Sequence, residues 1–434
     1  MRNIKIGFVT LVVALCLLWL SAEGFPTADY AQYMTWRGLL YWSGILAMGA
    51  MSVSIILAMR LKFLEPWLGG LDKMYRLHKW LGITGLVVSI IHWFAKQAPM
   101  WFASVDAVRP ARPAAPEQTN AILAFFQTMH GPAEGIGNPA FYALIGLVVL
   151  ALLRWFPYKY FFKTHRLLAI VYLALVFHSL VLMKFTYWGA ILGPVMAILM
   201  ALGTIGAMIS ILRGIGRINR AAGEVTGFEY HPGVKVLRID AKLTSQWPGH
   251  QAGQFAFVTL DRNEGAHPFT ITSNWAGDGK LSFLIKELGD YTGQLAKTVK
   301  RGGDIVVEGP YGDFRFESGG TRQIWIGGGI GIAPFVARMK ALAAQGDGRR
   351  IDLFHTTKEY DESAIAKLRE DVAASGVTLH MSVDARDGYL TSDKIIAAVP
   401  DWKDADIWFC GPVAMGKALR KGLAGKGMPE SSFH

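Results

Sequence analysis

The sequence predicts a multidomain protein: six membrane-spanning helices, then a small antiparallel β-barrel, then a parallel α/β domain. Hydrophobic residues make up 52% of the 434 residues and charged residues only 18%, which is typical of a partly membrane-embedded chain. The long apolar runs end near residue 212. Beyond that point the chain shows short β-type runs, followed by alternating strand and helix patterns.

Six apolar runs occupy the first half, and each is long enough to cross a bilayer as a helix. Lysines and arginines cluster at alternate ends of these runs, so the net charge of +11 reflects the positive-inside pattern and does not indicate nucleic-acid binding. We expect the first run to be a retained helix, although it also resembles a cleaved signal peptide. Both termini are then cytoplasmic, and residues 96–138 form an outer loop. The runs comprise residues 6–20, 39–59, 78–94, 139–155, 165–183 and 188–212.

Four histidines lie in two of these runs: His78 and His92 in the third, His165 and His178 in the fifth. An ionisable side chain at membrane depth is costly and marks a functional site by default. A lone histidine could simply pack through a hydrogen bond, but two pairs at nearly equal spacing favour ligation of haem iron by neutral imidazole. Both runs cross from inside to outside. We therefore predict two b-type haems, an inner one between His78 and His165 and an outer one between His92 and His178.

The spacing within the two runs differs by one residue. Fourteen residues separate the first pair and thirteen the second. At about 100° per residue, fourteen steps return to within about 40° of one helix face, whereas thirteen miss it by about 140°. The fifth helix must be distorted, or its histidines must reach around it. Arg37, at the outer end of the second run, could face an outer haem propionate or an anionic acceptor, or it could be an interface anchor beside Trp36.

The second half contains two groups of candidate strands. Residues 234–239, 254–260, 269–273, 281–286 and 304–308 predict an antiparallel barrel, and residues 324–327, 351–355, 378–382 and 407–410 predict a parallel α/β domain. We place domain boundaries at 1–220, 221–318 and 319–434.

A glycine-rich turn directly follows one of the predicted parallel strands and opens a helix. Its glycines allow close approach of a pyrophosphate to the helix N-terminus, which favours nucleotide binding over a purely structural turn. The two cysteines, Cys16 and Cys410, suggest neither a disulfide framework nor a metal site. The turn residues assigned to nucleotide binding are Gly328, Gly329, Gly331 and Pro334.

These features together resemble the NADPH oxidase and ferric reductase family, in the form of a bacterial membrane flavocytochrome b with a ferredoxin–NADP reductase-like module. His267 to Ser273 is similar to the family's flavin motif, with histidine in place of the arginine of soluble reductases. Ile285 to Thr292 resembles the flavin pyrophosphate segment, Gly309 to Gly312 the turn closing the flavin domain, and Phe409 to Pro412 the motif beside the nicotinamide.

The resemblance implies FAD and NADPH or NADH as cofactors. Lys358, after the second nucleotide-domain strand, could hold a 2′-phosphate as a point charge, so NADPH is only favoured over NADH. The family usually ends in an aromatic residue that stacks on the flavin; Phe433 serves that role, or the flavin face is more open here. The flavin and dinucleotide residues that the resemblance assigns are His267, Pro268, Phe269, Thr270, Thr272, Ser273, Ile285, Lys286, Tyr291, Thr292, Gly293, Lys358, Cys410, Gly411, Pro412 and Phe433.

By this resemblance the protein is a multi-pass oxidoreductase of a bacterial-type inner membrane, with its reductase module in the cytoplasm. NAD(P)H would feed electrons through FAD and the two haems to an extracytoplasmic acceptor. Thirteen-residue spacing on the fifth helix is more typical of the oxidases, which favours oxygen and superoxide. The alternatives are a ferric chelate, a periplasmic redox partner docked through residues 96–138, and a haem-binding sensor. No calcium-binding loop motif is present, so we expect no calcium control.

Overall fold

The computed structural model describes residues 1–23, 36–102, 121–153, 155–317 and 320–434. The chain forms two compact units, Met1–Ile215 and Gly216–His434. Each unit is built around its own buried clusters of apolar side chains.

The first unit is helical throughout. Six of its helices are long and apolar enough to cross a membrane, which confirms the six predicted spans. One further helix is a single turn that lies between the second and third spans. The helices are α1 (Arg2–Glu23), α2 (Trp36–Ala58), α3 (Glu65–Leu68), α4 (Leu71–Phe102), α5 (Ala121–Leu152), α6 (Tyr158–Leu182) and α7 (Leu192–Ile211).

The prediction of one outer loop over residues 96–138 is wrong at both ends. Helix α4 continues to Phe102 and α5 begins at Ala121, while residues 103–120 lie outside the described part of the chain. Pro132, within the predicted loop, and Pro139 both lie inside α5. A proline costs an interior helix about 3 kcal/mol in water. At membrane depth, helical structure is what satisfies the backbone groups, and that requirement outweighs the cost.

Helix α1 packs as a member of the bundle. Leu15 is buried against α2, where Gly49 makes room for it: a Cβ at Gly49 would lie 2.5 Å from the Leu15 side chain. At its end, the Glu23 carboxylate accepts hydrogen bonds from Lys184 at 3.1 Å and from the Tyr187 hydroxyl at 2.5 Å. The contacts therefore involve the middle and the C-terminal end of the helix.

The second unit begins with a six-stranded antiparallel sheet in the order β4-β3-β6-β1-β2-β5. An isolated bridge between Ile271 and Phe283 joins its two ends, so the sheet closes into a small barrel. The five predicted strands are present, and the structure adds β1, which the sequence did not predict. The strands are β1 (Arg220–His231), β2 (Val236–Leu243), β3 (Phe255–Thr259), β4 (His267–Thr270), β5 (Lys280–Lys286) and β6 (Asp304–Tyr311), and helix α8 (Asp290–Thr298) follows β5.

A four-stranded parallel sheet follows, in the order β10-β7-β8-β9, with helices between its strands. This arrangement confirms the predicted fold class. Parallel order places the carboxyl ends of the strands at one edge, where nucleotides bind in such sheets. The elements are β7 (Arg322–Gly328), α9 (Ala333–Ala344), β8 (Arg350–Thr357), α10 (Glu362–Ser375), β9 (Thr378–Val383), α11 (Asp384–Asp387), α12 (Ser392–Ala398), β10 (Ala405–Cys410) and α13 (Val413–Ala424).

Candidate functional site

The four membrane histidines form two pairs between α4 and α6. The ring centroids of His78 and His165 lie 5.9 Å apart, and those of His92 and His178 lie 6.3 Å apart. A metal bound to two imidazole nitrogens at about 2 Å each would separate the ring centroids by roughly 6 Å. Both observed separations therefore leave the space that one metal atom needs.

Helix α6 is continuous from Tyr158 to Leu182, although thirteen residues separate its two histidines. The two side chains therefore reach the α4 histidines from different sides of one uninterrupted helix. Of the two alternatives that the spacing left open, the structure shows the second. His165 contacts Phe161 of its own helix, with ring centroids 4.9 Å apart and ring planes 19° apart.

Three of the four rings are held by main-chain carbonyls of neighbouring helices. A carbonyl oxygen only accepts hydrogen bonds, so the ring proton must lie on Nδ1 in each case. Nε2 then carries the lone pair, which is the tautomer that a metal ligand requires. The acceptors, with their distances from Nδ1, are Ser54 for His78 at 2.8 Å, Leu40 for His92 at 2.9 Å and Ala133 for His178 at 2.7 Å.

Two glycines make room for the rings of His92 and His178, the pair predicted to be the outer one. Gly44 follows Leu40 by four residues, and Gly137 follows Ala133 by four, so each glycine lies one turn beyond the carbonyl that accepts the bond. A Cβ at Gly137 would lie 2.7 Å from Cε1 of His178, and a Cβ at Gly44 would lie 3.3 Å from Cε1 of His92. Sequence reasoning missed both glycines. Gly44 lies inside a predicted spanning run, whereas Gly137 was predicted to lie in the outer loop, so no sequence pattern marked it.

Each histidine pair lies in the wall of its own cavity. The outer cavity has an empty volume of about 1270 Å³ and the inner cavity one of about 1280 Å³, including space open to the surface. Met51 and Leu144 line both cavities and so lie between them. The walls are mostly apolar. Two mostly apolar cavities with facing imidazoles are the setting that two b-type haems need, so these residues fit the group.

The charged side chains in these walls are few. Lys96 and Glu134 line the outer cavity and form an ion pair, and Lys79 lines the inner one. Among the described residues there is no group of three or more His, Cys, Asp or Glu side chains suited to a metal ion. The histidine pairs therefore suit a metal that brings further ligands of its own, as a porphyrin iron does. Arg37 is exposed in the first turn of α2, and its role stays a prediction.

In the second unit, the two predicted flavin segments meet. The His267 ring of β4 stacks on Tyr291 of α8, with centroids 4.3 Å apart and planes 21° apart. Burial lowers the pKa of His267 and raises the pKa of Tyr291 to about 12. Both rings are therefore uncharged at neutral pH. His267 cannot supply the positive charge of the arginine it replaces, so the N-terminus of α8 is the better candidate for a pyrophosphate.

Lys286, predicted to lie beside the flavin pyrophosphate, has its ammonium engaged elsewhere. It donates to the Glu359 carboxylate at 2.7 Å and to the Val234 carbonyl at 2.9 Å. Glu359 follows Lys358, which is exposed after the carboxyl end of β8. A carboxylate thus neighbours the lysine predicted to hold a 2′-phosphate.

The glycine turn and the Cys410 segment lie side by side, because β7 and β10 are neighbours. A Cβ at Gly331 would overlap the carbonyl oxygen of Cys410, and a Cβ at Gly328 would lie 2.8 Å from Pro412. Gly329 has a positive φ of 55°, and α9 opens just beyond it. Burial raises the pKa of the Cys410 thiol to about 11, so it is protonated at neutral pH.

Phe433 lies within the nucleotide-binding part of the unit. It forms an isolated parallel bridge with Ile407 and stacks on Phe409, with ring centroids 6.0 Å apart. Its ring packs against the buried cluster formed on β7 and β10. The role of Phe433 at the flavin stays a prediction.

Fold and sites together define a membrane-embedded oxidoreductase with flavin- and dinucleotide-binding domains. Three family models match the chain in order: a ferric reductase like transmembrane component over residues 43–176, an FAD-binding domain over 230–315 and an oxidoreductase NAD-binding domain over 325–421. The chain belongs to the ferric reductase and NADPH oxidase type of membrane protein.

Curated relatives match about half of this chain. The reductase component of propane 2-monooxygenase from Rhodococcus jostii is 26% identical over 201 residues, covering 42% of this chain and 53% of the relative. A flavohemoprotein from Bordetella pertussis is 29% identical over 266 residues, covering 53% of this chain and 66% of the relative. The chain thus spans between about half and two thirds of these relatives. The crystal structure of a flavohemoglobin from Malassezia yamatoensis aligns with 90% of this chain and 95% of its own, at 14% identity and a TM-score of 0.48.

Proposed function

We propose that the protein carries electrons from cytoplasmic NAD(P)H across the membrane to an extracytoplasmic acceptor. The observation that supports this most directly is the pair of cavities in the membrane unit, each with two facing imidazoles in its wall. When bound, the dinucleotide would supply hydride, FAD would convert it to single electrons, and the haems would carry these onward.

Each set of residues has its own task in this proposal. His78 and His165 hold the inner iron and His92 and His178 the outer iron, each through Nε2. The backbone carbonyls fix the ring orientation from the other side. The domains span residues 1–220 for haem, 221–318 for FAD and 319–434 for the dinucleotide.

The flavin would lie along the segment from His267 to Ser273, and its pyrophosphate at the start of α8. The dinucleotide would lie across the carboxyl edge of the parallel sheet, near Gly328 and Cys410. Lys358 is the candidate partner of a 2′-phosphate, although Glu359 beside it weakens the case for NADPH over NADH.

We infer the orientation from the distribution of basic residues. Arg60, Lys62 and Lys73 flank the α2–α4 connection, and Arg213 and Arg217 follow α7. The positive-inside pattern assigns these positions to the cytoplasm. His78 and His165 are then the inner pair in a plasma membrane of bacterial type.

For the acceptor we favour oxygen, with superoxide as the product. His92 and His178 would both ligate the outer haem iron, so oxygen would receive its electron without binding the iron. Besides the histidines, the charged side chains lining the outer cavity in the described structure are Lys96 and Glu134, which neutralise each other. A polyanionic ferric chelate gains little attraction there, and neutral oxygen needs none. A ferric chelate and a periplasmic redox protein remain the alternatives.

Purified protein with FAD and NADH or NADPH tests this function. Superoxide dismutase-sensitive reduction of cytochrome c in air supports the oxidase. Activity with a ferric chelate under anaerobic conditions, and none with oxygen, supports the ferric reductase. Absence of activity with both acceptors supports a partner protein. His92→Leu should lose the outer haem and acceptor reduction while the flavin is still reduced by NAD(P)H. An unchanged two-haem absorbance in that variant would contradict the ligand assignment.

A further inference from the structure

His165 differs from the other three membrane histidines. Its ring Nδ1 is buried and has no hydrogen-bond partner among the described residues. The other three rings each donate from Nδ1 to a main-chain carbonyl at 2.7 to 2.9 Å. The rings nearest to His165 are Phe161 and His78, and neither offers a hydrogen-bond acceptor to Nδ1 in the described structure.

The missing partner weakens His165 as a metal ligand. A hydrogen bond at the second ring nitrogen orients an imidazole and makes the ligating nitrogen more basic, and losing such a partner typically lowers metal affinity about 10- to 100-fold. A buried N–H group without an acceptor also destabilises the ligated position, because the group has lost its water. Both effects make release of His165 from the inner metal easier than release of the other three.

The inner cavity has space for a replacement ligand beside the pair. Gly82 lies one turn beyond His78 on α4 and lines the inner cavity, and a Cβ placed there would meet no atom within 4 Å. The matching position beyond His92 is Lys96, whose side chain lines the outer cavity in its ion pair with Glu134. Lys79 also lines the inner cavity, but the Gly82 position itself is open, whereas the matching outer position carries a charged side chain.

We propose, resting on the haem assignment above, that His165 is a displaceable ligand and that the inner site binds a neutral diatomic gas in its place. The bond between Nε2 of His165 and the ferrous metal breaks, and the gas molecule donates an electron pair to the same position. No electron or proton is transferred in this exchange. His92 and His178, each tied to a carbonyl, keep the outer site closed to such a ligand.

Carbon monoxide is the probe for this site. We expect dithionite-reduced, full-length protein to give a carbon monoxide difference spectrum for one of its two haems. The rate should level off at high carbon monoxide concentration, because release of His165 then limits binding. The variant His165→Gly should bind carbon monoxide without that plateau, since no ring has to leave.

A double variant, His92→Leu with His178→Leu, locates the signal. It should keep one b-type absorbance and the whole carbon monoxide response. Two haems with no response in the natural protein would overturn the inference and leave the proposed electron transfer intact. A response lost in the double variant while its remaining haem is present would overturn it too. Absence of any b-type spectrum in haem-supplied protein would instead overturn the proposed function and this inference together.

Discussion

Gly137 on α5 offers the sharpest single test of how the outer site is built. The His178 ring lies over this glycine and donates from Nδ1 to the Ala133 carbonyl at 2.7 Å. In Gly137→Ala, the new methyl group would lie 2.7 Å from Cε1 and 2.9 Å from Nδ1 of the same ring. Ordinary contact begins near 3.4 Å. The ring must therefore retreat by about 0.7 Å, which stretches the hydrogen bond beyond its normal range.

The cost follows from these distances. Overpacking costs about 1–3 kcal/mol and loss of the hydrogen bond about 1 kcal/mol, while replacing a helical glycine by alanine returns about 1 kcal/mol. We expect the variant to be destabilised by about 1–3 kcal/mol. Its outer site should bind haem roughly 10- to 100-fold more weakly, because His178 loses the partner that orients it.

Two matched variants make this test decisive. Gly44→Ala places its methyl 3.3 Å from Cε1 of His92, so a shift of about 0.1 Å suffices and haem should be retained. Gly146→Ala, on α5 itself, meets no atom within 4 Å and should be neutral or stabilising by up to about 1 kcal/mol. Haem content by pyridine haemochrome and thermal unfolding in detergent measure both effects. Full haem content in Gly137→Ala, or equal loss in Gly146→Ala, would refute the reasoning.

Three further outcomes concern the second unit. Because burial raises the pKa of Cys410 to about 11, its alkylation should quicken about 100-fold between pH 7 and pH 9, and a flat profile by mass spectrometry would contradict a protonated thiol. Arg322→Met removes the 2.5 Å ion pair to the buried Asp352 carboxylate, which keeps its 2.8 Å contact with His380, and should cost about 2–3 kcal/mol in urea unfolding. Arg350→Met, at a side chain 70% exposed, should cost under about 1 kcal/mol. Gly331→Ala would force a methyl onto the Cys410 carbonyl and should weaken NAD(P)H binding in a fluorescence titration; unchanged affinity would separate the turn from the dinucleotide site.

The elements that were predicted correctly are those whose hydrophobic pattern alone indicates which residues are buried. The apolar runs gave all six spans, since a span needs only length and low polarity. Strand β2 was predictable because its buried and half-buried residues alternate along its length. Strand β1 was missed because its buried positions, Ala221, Val225 and His231, lie four and six residues apart among exposed and half-buried residues, and a bulge after Val225 shifts the register.

The sequence predicted which side chains form the membrane site. It did not predict the groups that hold those side chains in place. The histidine pairing followed from helix direction. Lys286, in contrast, was assigned to the flavin from local sequence, yet its ammonium contacts Glu359, which is 73 residues away in the chain. A contact at that separation depends on how β5 and the β8–α10 connection pack, and no local pattern encodes it.

The carbonyl supports of the histidines have a deeper reason for escaping prediction. Every residue carries a carbonyl, so Leu40 and Ala133 look like any apolar helix positions. What the sequence must supply is space, and Gly44 and Gly137 supply it one turn further on. It follows that substituting the side chains of Leu40 or Ala133 cannot remove the acceptors, whereas a single methyl at Gly137 can. The orientation of the outer rings is thus set by the helix backbone and by the absence of a Cβ, and the glycine variants, rather than substitutions of the accepting residues, are the ones that can disturb it.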